Sequence, residues 1–241
     1  MSECDVVVLS KFSTIFKGFQ DCVDADAPEL KKICIWDNVA PPPVRMQKWS
    51  HFIAAGEFKM ARNGNLGLKA SDRDVLYCGD DTRIVQLHTI DHLSIIAESD
   101  PSIGILSPKI AGHAQELQMR PTSQGPDLTF APFVAFVFVY IKRALINRIG
   151  YLDERFEGYG MEDLDYCYRA RAAGFKIAVT PDVTVRHGVN GHIYGSTFIE
   201  VRGEPQMAKD DEANRARFAE KYGIANDPRV IMEFIDRVSA Y

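Results

Sequence analysis

The sequence has no long apolar run, no C-x-x-C cysteine pair and no basic flank leading into an apolar leader. Its longest apolar run, Phe133–Ile141, covers nine residues, whereas a helix needs about 20 to cross a bilayer, so we expect a buried strand there. Because no secretory signal is visible, we expect a cytoplasmic protein. The five cysteines are an odd number at irregular separations, which favours reduced, partly buried thiols over a disulfide framework.

An excess of positive charge is also missing. The chain carries 28 basic and 33 acidic residues, a formal net charge of −5, so we expect no general attraction to nucleic acid backbones. Its 241 residues are 46% hydrophobic and 25% charged, which excludes disorder, collagen-like repeats and coiled coils. A chain of this length and composition can bury a full core without disulfides or a structural metal.

Apolar, β-branched runs alternate with helical patterns along the chain. Strands are expected at 6–9, 33–36, 75–78, 103–106, 133–141, 177–179 and 183–185. Helices are expected at about 13–25, 84–99, 142–149, 163–173 and 209–222. This alternation predicts an α/β fold with βαβ units and a largely parallel sheet, and because the strands lack strict polar alternation, we expect both of its faces to be covered.

Acidic residues directly follow two of the expected strands. Asp37 comes after 33–36, and Asp80 and Asp81 come just after 75–78. Ligands of open α/β sheets bind at the carboxyl ends of the strands, so we expect these carboxylates to meet at one edge. Adjacent carboxylates repel unless a cation or donors neutralise them, and Mg²⁺ and Mn²⁺ prefer such oxygen ligands. The alternative is that the Asp pair only forms a turn or caps a helix.

A second acidic pair, Glu162 and Asp163, follows the glycine-containing segment 157–160. Glycines at this position would let a substrate approach closely while a helix-anchored carboxylate acts as a general base. A favourable interaction with the helix dipole explains the same pair without any catalytic role. Two residues further along, helical spacing predicts an internal ion pair between Asp165 and Arg169.

The histidines give weaker signals. His187 follows the expected strand at 183–185, and a lone histidine in such a place is more often structural than a ligand. His88 and His92 are four residues apart on an expected helix without a surrounding ligand motif, so we expect a solvated or half-buried face. No G-x-G-x-x-G sequence follows any strand, which argues against a nicotinamide-dependent oxidoreductase.

Four blocks of the sequence occur in the order 6–38, 61–67, 75–110 and 149–174. The second is an Asn- and Gly-rich segment in a region where we expect both loop and helix, and the last, which contains the Glu162–Asp163 pair, is the most specific. In these blocks the chain resembles the family 2 glycosyltransferases of the GT-A fold, especially the soluble rhamnosyltransferase-like members. The resemblance implies a Rossmann-like, mostly parallel sheet flanked by helices, with a smaller acceptor-side region.

The resemblance further implies one continuous domain with a nucleotide-sugar-binding half at 1–112 and an acceptor-binding and catalytic half at 113–241. It assigns donor binding to four residues, Ser10, Asp37, Asn65 and Asp80. Asp37 would contact the base or ribose, and Asn65 would lie in the loop beside the donor. The family usually has a Thr-Tyr-Asn-like segment where this chain has Ser10-Lys11-Phe12, which leaves the nucleotide preference open.

A metal site and a catalytic base are implied as well. Asp81 and His187 would hold Mn²⁺ or Mg²⁺ at the donor diphosphate, with support from Asp80. Asp163 would be the catalytic base, and Glu162 would position the acceptor or the base itself. The implied reaction is the inverting transfer of a sugar from a nucleoside diphosphate sugar to an acceptor hydroxyl.

The sequence also bears on the acceptor and on two alternative functions. A glycan or lipid-linked glycan is the expected acceptor, and a modified nucleobase in DNA is disfavoured by the acidic composition. A sugar-1-phosphate nucleotidyltransferase shares the architecture but needs a glycine-rich phosphate loop after the first strand, and residues 10–14 contain no glycine. A non-catalytic module that binds a sugar or a nucleotide stays open as an alternative.

Overall fold

The computed structural model describes residues 4–10, 13–37, 51–55, 59–122, 127–188 and 204–238. Lys11, Phe12 and Asn38, which belong to the first block of resemblance, lie outside these residues. The strands are β1 (Cys4–Ser10), β2 (Lys32–Trp36), β3 (His51–Ala54), β4 (Asp74–Gly79), β5 (Thr82–Ile84), β6 (Ile103–Ala111), β7 (Thr129–Phe130), β8 (Phe138–Ile141) and β9 (Lys176–His187). The helices are α1 (Ser13–Asp26), α2 (Met60–Lys69), α3 (Thr89–Ser99), α4 (Glu116–Met119), α5 (Arg143–Ile149), α6 (Glu162–Ala172), α7 (Glu204–Tyr222) and α8 (Pro228–Asp236).

The strands of the described residues form one sheet in the order β3-β2-β1-β4-β8-β6-β9-β5, and β7 pairs with β9 beside this path. Neighbours from β3 to β4 are parallel, as are β6 and β9. Strand β8 runs antiparallel to β4 and β6, while β5 and β7 run antiparallel to β9. The largely parallel sheet expected from the alternating pattern is therefore confirmed.

Both faces of the sheet are buried, as the apolar strand runs predict. On β1, Val6 and Val8 belong to one core cluster and Val7 to the other, because successive side chains of a strand point to opposite faces. Helices α1 and α3 cover the first face, and α2, α5 and α6 cover the second. A third apolar cluster joins α6 to the C-terminal helices α7 and α8.

The helix expected at 84–99 begins only at Thr89. Ile84 pairs with Val185 as the last residue of strand β5, and residues 85–88 lead from the sheet into the helix. The Asp26 side chain then accepts hydrogen bonds from the N–H groups of Thr89 and Ile90 at 3.1 and 2.9 Å. A residue distant in the sequence thus satisfies donors that the first turn of the helix leaves free.

The strand expected at 133–141 is a strand only over Phe138–Ile141. In the preceding segment, the Ala135 N–H group donates to the Gln118 side chain and the Phe136 N–H group donates to Asp163. Because these backbone donors bind side chains, the segment leaves the sheet and reaches helix α6.

The two short strands expected at 177–179 and 183–185 form one strand, β9. Its register against β6 jumps from Pro108–Thr180 to Lys109–Thr184. This shift in register accommodates Pro181 and Asp182, which would otherwise interrupt the hydrogen-bond ladder.

The Asn- and Gly-rich segment 61–67 lies in helix α2, so the loop that the resemblance implies there is wrong. A Cβ at Gly67 would lie 2.2 Å from Val7 Cγ1, and a Cβ at Gly64 would lie 2.8 Å from the Tyr77 hydroxyl. The glycines therefore allow the helix to pack directly on the sheet, which offsets their poor helix propensity.

None of the helices in the described ranges is long and apolar enough to cross a membrane. The two-half division at residue 112 stays a prediction; strands from both sides of that position build the same sheet.

Candidate active site

The carboxyl ends of β1, β2 and β4 bring together three of the residues singled out in the sequence. The Ser10 hydroxyl donates a hydrogen bond to Asp80 Oδ2 at 2.6 Å. The Asp37 N–H group donates to the Ser10 carbonyl oxygen at 2.8 Å. Because β1 lies between the other two strands, its last residue connects both acidic positions at this edge.

Asp80 is buried, with 4% of its surface exposed. Burial, followed by the neighbouring charge of Asp81, raises the pKa of Asp80 to about 8, although the Ser10 hydrogen bond acts in the opposite direction. Asp80 therefore favours its protonated form at neutral pH.

Arg83 fastens the turn that carries these two acids. Its Nη1 atom donates to the carbonyl oxygens of Asp80 and Thr82 at 2.7 and 2.6 Å, and Nη2 donates to the Ile15 carbonyl oxygen at 3.0 Å. A Cβ at Gly18 would lie 2.6 Å from Arg83 Nη2, so the missing side chain leaves room for the guanidinium. Sequence reasoning missed Arg83, whose only signal is its position just after the acidic pair.

Asp81 and His187 meet across the β5–β9 ladder. The register of this ladder pairs Thr82 with His187, and Asp81 Oδ2 lies 3.3 Å from His187 Nε2. The other ring nitrogen, Nδ1, is hydrogen-bonded to the His113 carbonyl oxygen. Burial opposes a charge on the imidazole, but Asp81 and the His113 carbonyl outweigh it and raise the pKa of His187.

Gly112 allows its own backbone to pack closely against the backbone of His187. Its φ is +128°, and a Cβ at this position would lie 2.1 Å from the His187 carbonyl oxygen. Any side chain at residue 112 would therefore push apart the two segments that bring the His113 carbonyl to the imidazole. Gly112 and His113 were not predicted, because nothing local connects them with a strand end more than seventy residues away.

The Asp81–His187 pair fits a divalent cation. A carboxylate oxygen and an imidazole nitrogen are both ordinary ligands, and the hydrogen bond at Nδ1 leaves Nε2 as the coordinating atom. Among the described residues, no group of three or more His, Cys, Asp or Glu side chains could hold a metal. Two protein ligands leave positions for water and for phosphate oxygens, which is how Mg²⁺ is usually bound at nucleotide sites.

The second acidic pair stands at the first turn of α6. Asp163 Oδ1 accepts a hydrogen bond from the Leu164 N–H group at 2.7 Å, and Oδ2 accepts one from the Phe136 N–H group at 3.4 Å. Glu162 is 5% exposed, and within the described part of the chain its Oε2 atom makes no hydrogen bond. Burial and then the charge of Asp163 raise the pKa of Glu162 to about 8, and burial raises the pKa of Asp163.

Two consecutive residues connect the acidic pairs. Phe136 donates its N–H group to Asp163, and the carbonyl oxygen of Val137 accepts the N–H group of Gly79 at 2.9 Å, next to Asp80. The strand that ends at Gly79 also carries Tyr77, whose pKa is held well above its usual value by burial and then by Glu162 and Asp163. The strand end with Asp80 and the first turn of α6 are therefore neighbours.

Asn65 does not lie in a loop but is buried in helix α2. Its Nδ2 atom donates to the Leu152 carbonyl oxygen and to Glu154 Oε1, each at 2.9 Å, and its Oδ1 accepts the Leu152 N–H group at 2.9 Å. These bonds hold the segment around Leu152 against the helix, and the expected contact with a donor stays a prediction.

The predicted ion pair between Asp165 and Arg169 is confirmed at 2.8 Å. Asp165 also accepts hydrogen bonds from Lys221 and Tyr222, and Arg169 donates to the carbonyl oxygens of Ile149 and Tyr151. Several residues of the block 149–174 therefore hold helix α6 in place.

His88 and His92 are both exposed, in agreement with the expected solvated face. They lie at the start of α3 and contribute nothing to the arrangement described above.

No protein-family model and no curated protein matches this sequence. Among solved structures, the chain is similar to one described as "Crystal structure of GalNAc-T7 with UDP, GalNAc and Mn2+". The TM-score is 0.64 at 12% sequence identity, over 98% of this chain and 54% of that one, so the chain spans about half the length of its neighbour. The match confirms the expected GT-A glycosyltransferase fold. Membership of family 2 and the rhamnosyltransferase-like character stay predictions.

Proposed function

We propose that this chain transfers a sugar from a nucleoside diphosphate sugar to an acceptor hydroxyl with the help of a divalent cation. The observation that carries the proposal is the pairing of Asp81 with His187 beside a second acidic pair, Glu162 and Asp163, at the same region of the sheet. The fold supports it, since the similar structure is described as containing UDP, GalNAc and Mn²⁺.

Donor binding is proposed for the strand-end residues. Ser10, Asp37 and Asp80 present polar groups where an α/β sheet binds nucleotides, and Asn65 is proposed to act from helix α2. Asp81 and His187 would hold Mn²⁺ or Mg²⁺. When bound, such an ion supplies Lewis-acid stabilisation of the negative charge on a diphosphate leaving group.

Asp163 is proposed as the catalytic base. Its pKa is raised by burial, which brings a carboxylate closer to the range where it accepts a proton effectively. Glu162 is more deeply buried and its pKa is raised to about 8, whereas the N–H groups of Leu164 and Phe136 that bind the Asp163 carboxylate favour the ionised form of Asp163. The acceptor hydroxyl gives its proton to Asp163 while its oxygen bonds to the anomeric carbon and the bond to the diphosphate breaks. One direct displacement inverts the configuration at that carbon.

The proposed acceptor is a glycan or a lipid-linked glycan. We also propose that the chain is related to the family 2 glycosyltransferases and that it acts in the cytoplasm. The acidic composition, with a net charge of −5, gives no support to a nucleic acid acceptor.

The test is Asp163→Asn compared with Asp72→Asn, which removes the same charge from an exposed turn. UDP-, dTDP- and GDP-sugars with Mn²⁺ are first screened by thermal shift, since a bound ligand raises the melting temperature. Asp163→Asn should bind the selected donor like the wild type but lose donor hydrolysis and transfer by about 10²- to 10⁴-fold. Full activity in this variant would refute the base, and a wild type that binds donors without turnover would indicate a binding module.

A further inference from the structure

The segment before the proposed base is a glycine turn, residues 157–160, with an unusual backbone. Gly158 and Gly160 have φ values of +71° and +92°, and Met161, at the N-terminus of α6, has φ +76°. A non-glycine residue in this region is strained, and such strain persists only where surrounding contacts enforce it. The conformation of the turn directs the chain into α6, where Glu162 and Asp163 follow at once.

Helix α7 supplies contacts that hold this turn. Asn214 is fully buried, and the two hydrogens of its Nδ2 atom are shared among the carbonyl oxygens of Glu157, Tyr159 and Gly160, which lie at 2.8, 3.0 and 2.9 Å. Its Oδ1 atom accepts a hydrogen bond from Arg217 Nη1 at 2.7 Å, which fixes the orientation of the amide. A single side chain therefore binds three of the four carbonyl groups of the turn.

The fourth carbonyl group of the turn is bound from helix α2, and a side chain of α7 contacts Gly158. The Gly158 carbonyl oxygen accepts the N–H group of Met60 at the start of α2, at 3.1 Å. A Cβ at Gly158 would lie 2.2 Å from Asp210 Oδ2, so the Asp210 side chain of α7 occupies the space beside Gly158. Because its carbonyls are bound from two sides, the turn has little freedom to shift.

We propose that Asn214 is a positioning residue for Asp163, and this inference rests on the proposed function. The amide fixes the glycine turn, the turn fixes the first turn of α6, and that first turn sets where the Asp163 carboxylate lies. Without the amide, three carbonyl groups of the turn lose the donor that binds them, so the turn is held less firmly. The base would then be displaced from its substrate, and a displacement of about 1 Å is enough to reduce turnover about 10²-fold.

The test compares Asn214→Asp with Phe218→Leu. The first variant keeps the size of the side chain but puts an oxygen in place of the donor atom. The second weakens the apolar packing of α7 one turn further on, where Phe218 is fully buried, without touching the carbonyl groups. A milder third variant, Arg217→Met, removes the bond that orients the amide, together with the exposed ion pair between Arg217 and Glu157. Each variant is measured for donor affinity, kcat, donor KM and amide hydrogen exchange at 157–163, at a temperature where it is fully folded.

Asn214→Asp should lower kcat about 10²-fold with donor affinity and KM unchanged, and should speed hydrogen exchange at 157–163. Arg217→Met should lower kcat by a smaller factor, and Phe218→Leu should leave kcat close to that of the wild type. An equal loss of kcat in Asn214→Asp and Phe218→Leu would show that Asn214 only docks the helix, and unchanged kcat in Asn214→Asp would also overturn the inference. A wild type without any transfer or donor hydrolysis would instead overturn the proposed function.

Discussion

Asp81 Oδ2 lies 3.3 Å from His187 Nε2, although the two residues come from different halves of the sequence. The β5–β9 ladder determines this contact, because its register pairs Thr82 with His187 and the Gly188 N–H group donates to the Asp81 carbonyl oxygen at 2.9 Å. The carboxylate and the imidazole are therefore brought together by the backbone before any ligand binds. Such preorganisation reduces the entropy that a bound ion would otherwise have to offset.

The first prediction concerns this pair. Asp81→Asn removes the charged ligand while keeping the size of the side chain, so the affinity for UDP in the presence of Mn²⁺ should fall by about tenfold or more. Affinity without Mn²⁺ should change little, and isothermal titration with and without the ion measures both. Asp182→Asn, on the exposed part of β9, is the control for loss of one negative charge. The same Mn²⁺ dependence in Asp81→Asn and the wild type would contradict the metal site.

Gly112 gives a second prediction. In Gly112→Ala the new methyl group meets the His187 carbonyl oxygen at 2.1 Å, and the backbone is at φ +128°, so we expect a loss of about 3 kcal/mol in the free energy of unfolding. Gly223→Ala is the matched control, because Gly223 has φ +63° with nothing within 4 Å of its Cβ position and should lose only about 1 kcal/mol. Urea denaturation measures both values. Equal losses would mean that the contact at residue 112 relaxes without cost.

The acidic residues at the strand ends could be predicted from the sequence, because each signal is local. An apolar run followed directly by Asp80 and Asp81 indicates both a strand and its carboxyl end, and the parallel order of strands then predicts where such ends meet. Helix α6 was similarly predictable: a helix is expected at about 163–173, and helical spacing then predicts the ion pair between Asp165 and Arg169.

Residues that act through distant contacts could not be found in this way. Asn65 and the glycines around it are typical of a loop, and only the packing of Gly67 on Val7 explains why they form a helix. Asn214 stands in a charged helix with no local pattern to distinguish it, and its three partners belong to a turn more than fifty residues earlier. The sequence therefore indicated the acidic groups but not the residues that hold them.

A third prediction follows from the protonation of Glu162. Its pKa is raised to about 8 in the folded protein by burial and by Asp163, from an ordinary value of 4.5. Between these values the folded state binds more protons than the unfolded state, so the group destabilises the fold increasingly as the pH rises from about 4.5 to about 8.

Glu162→Gln removes this titration. The melting temperature of the variant should therefore fall less than that of the wild type between pH 5 and pH 8. Glu98→Gln, which removes a carboxylate from the exposed end of α3, should keep the wild-type pH dependence. Parallel curves for Glu162→Gln and the wild type would show that Glu162 does not hold a proton near neutral pH.

Asn65 provides the last prediction, which separates its observed structural contacts from its proposed donor contact. Asn65→Ala leaves the N–H and carbonyl groups of Leu152 without their partner, so the free energy of unfolding should fall by about 2–4 kcal/mol. Asn147→Ala, at an exposed position of α5, should change stability by no more than about 0.5 kcal/mol.

Donor titration of the same variants separates the two roles of Asn65. If its amide also contacts the donor, Asn65→Ala should weaken donor binding at a temperature where the variant is fully folded, and Asn147→Ala should not. If donor affinity is unchanged while stability falls, the amide serves only to hold the Leu152 segment against helix α2. In either case the glycines of that helix are required for packing, since the space that they leave is already filled by Val7, Tyr77 and Leu152.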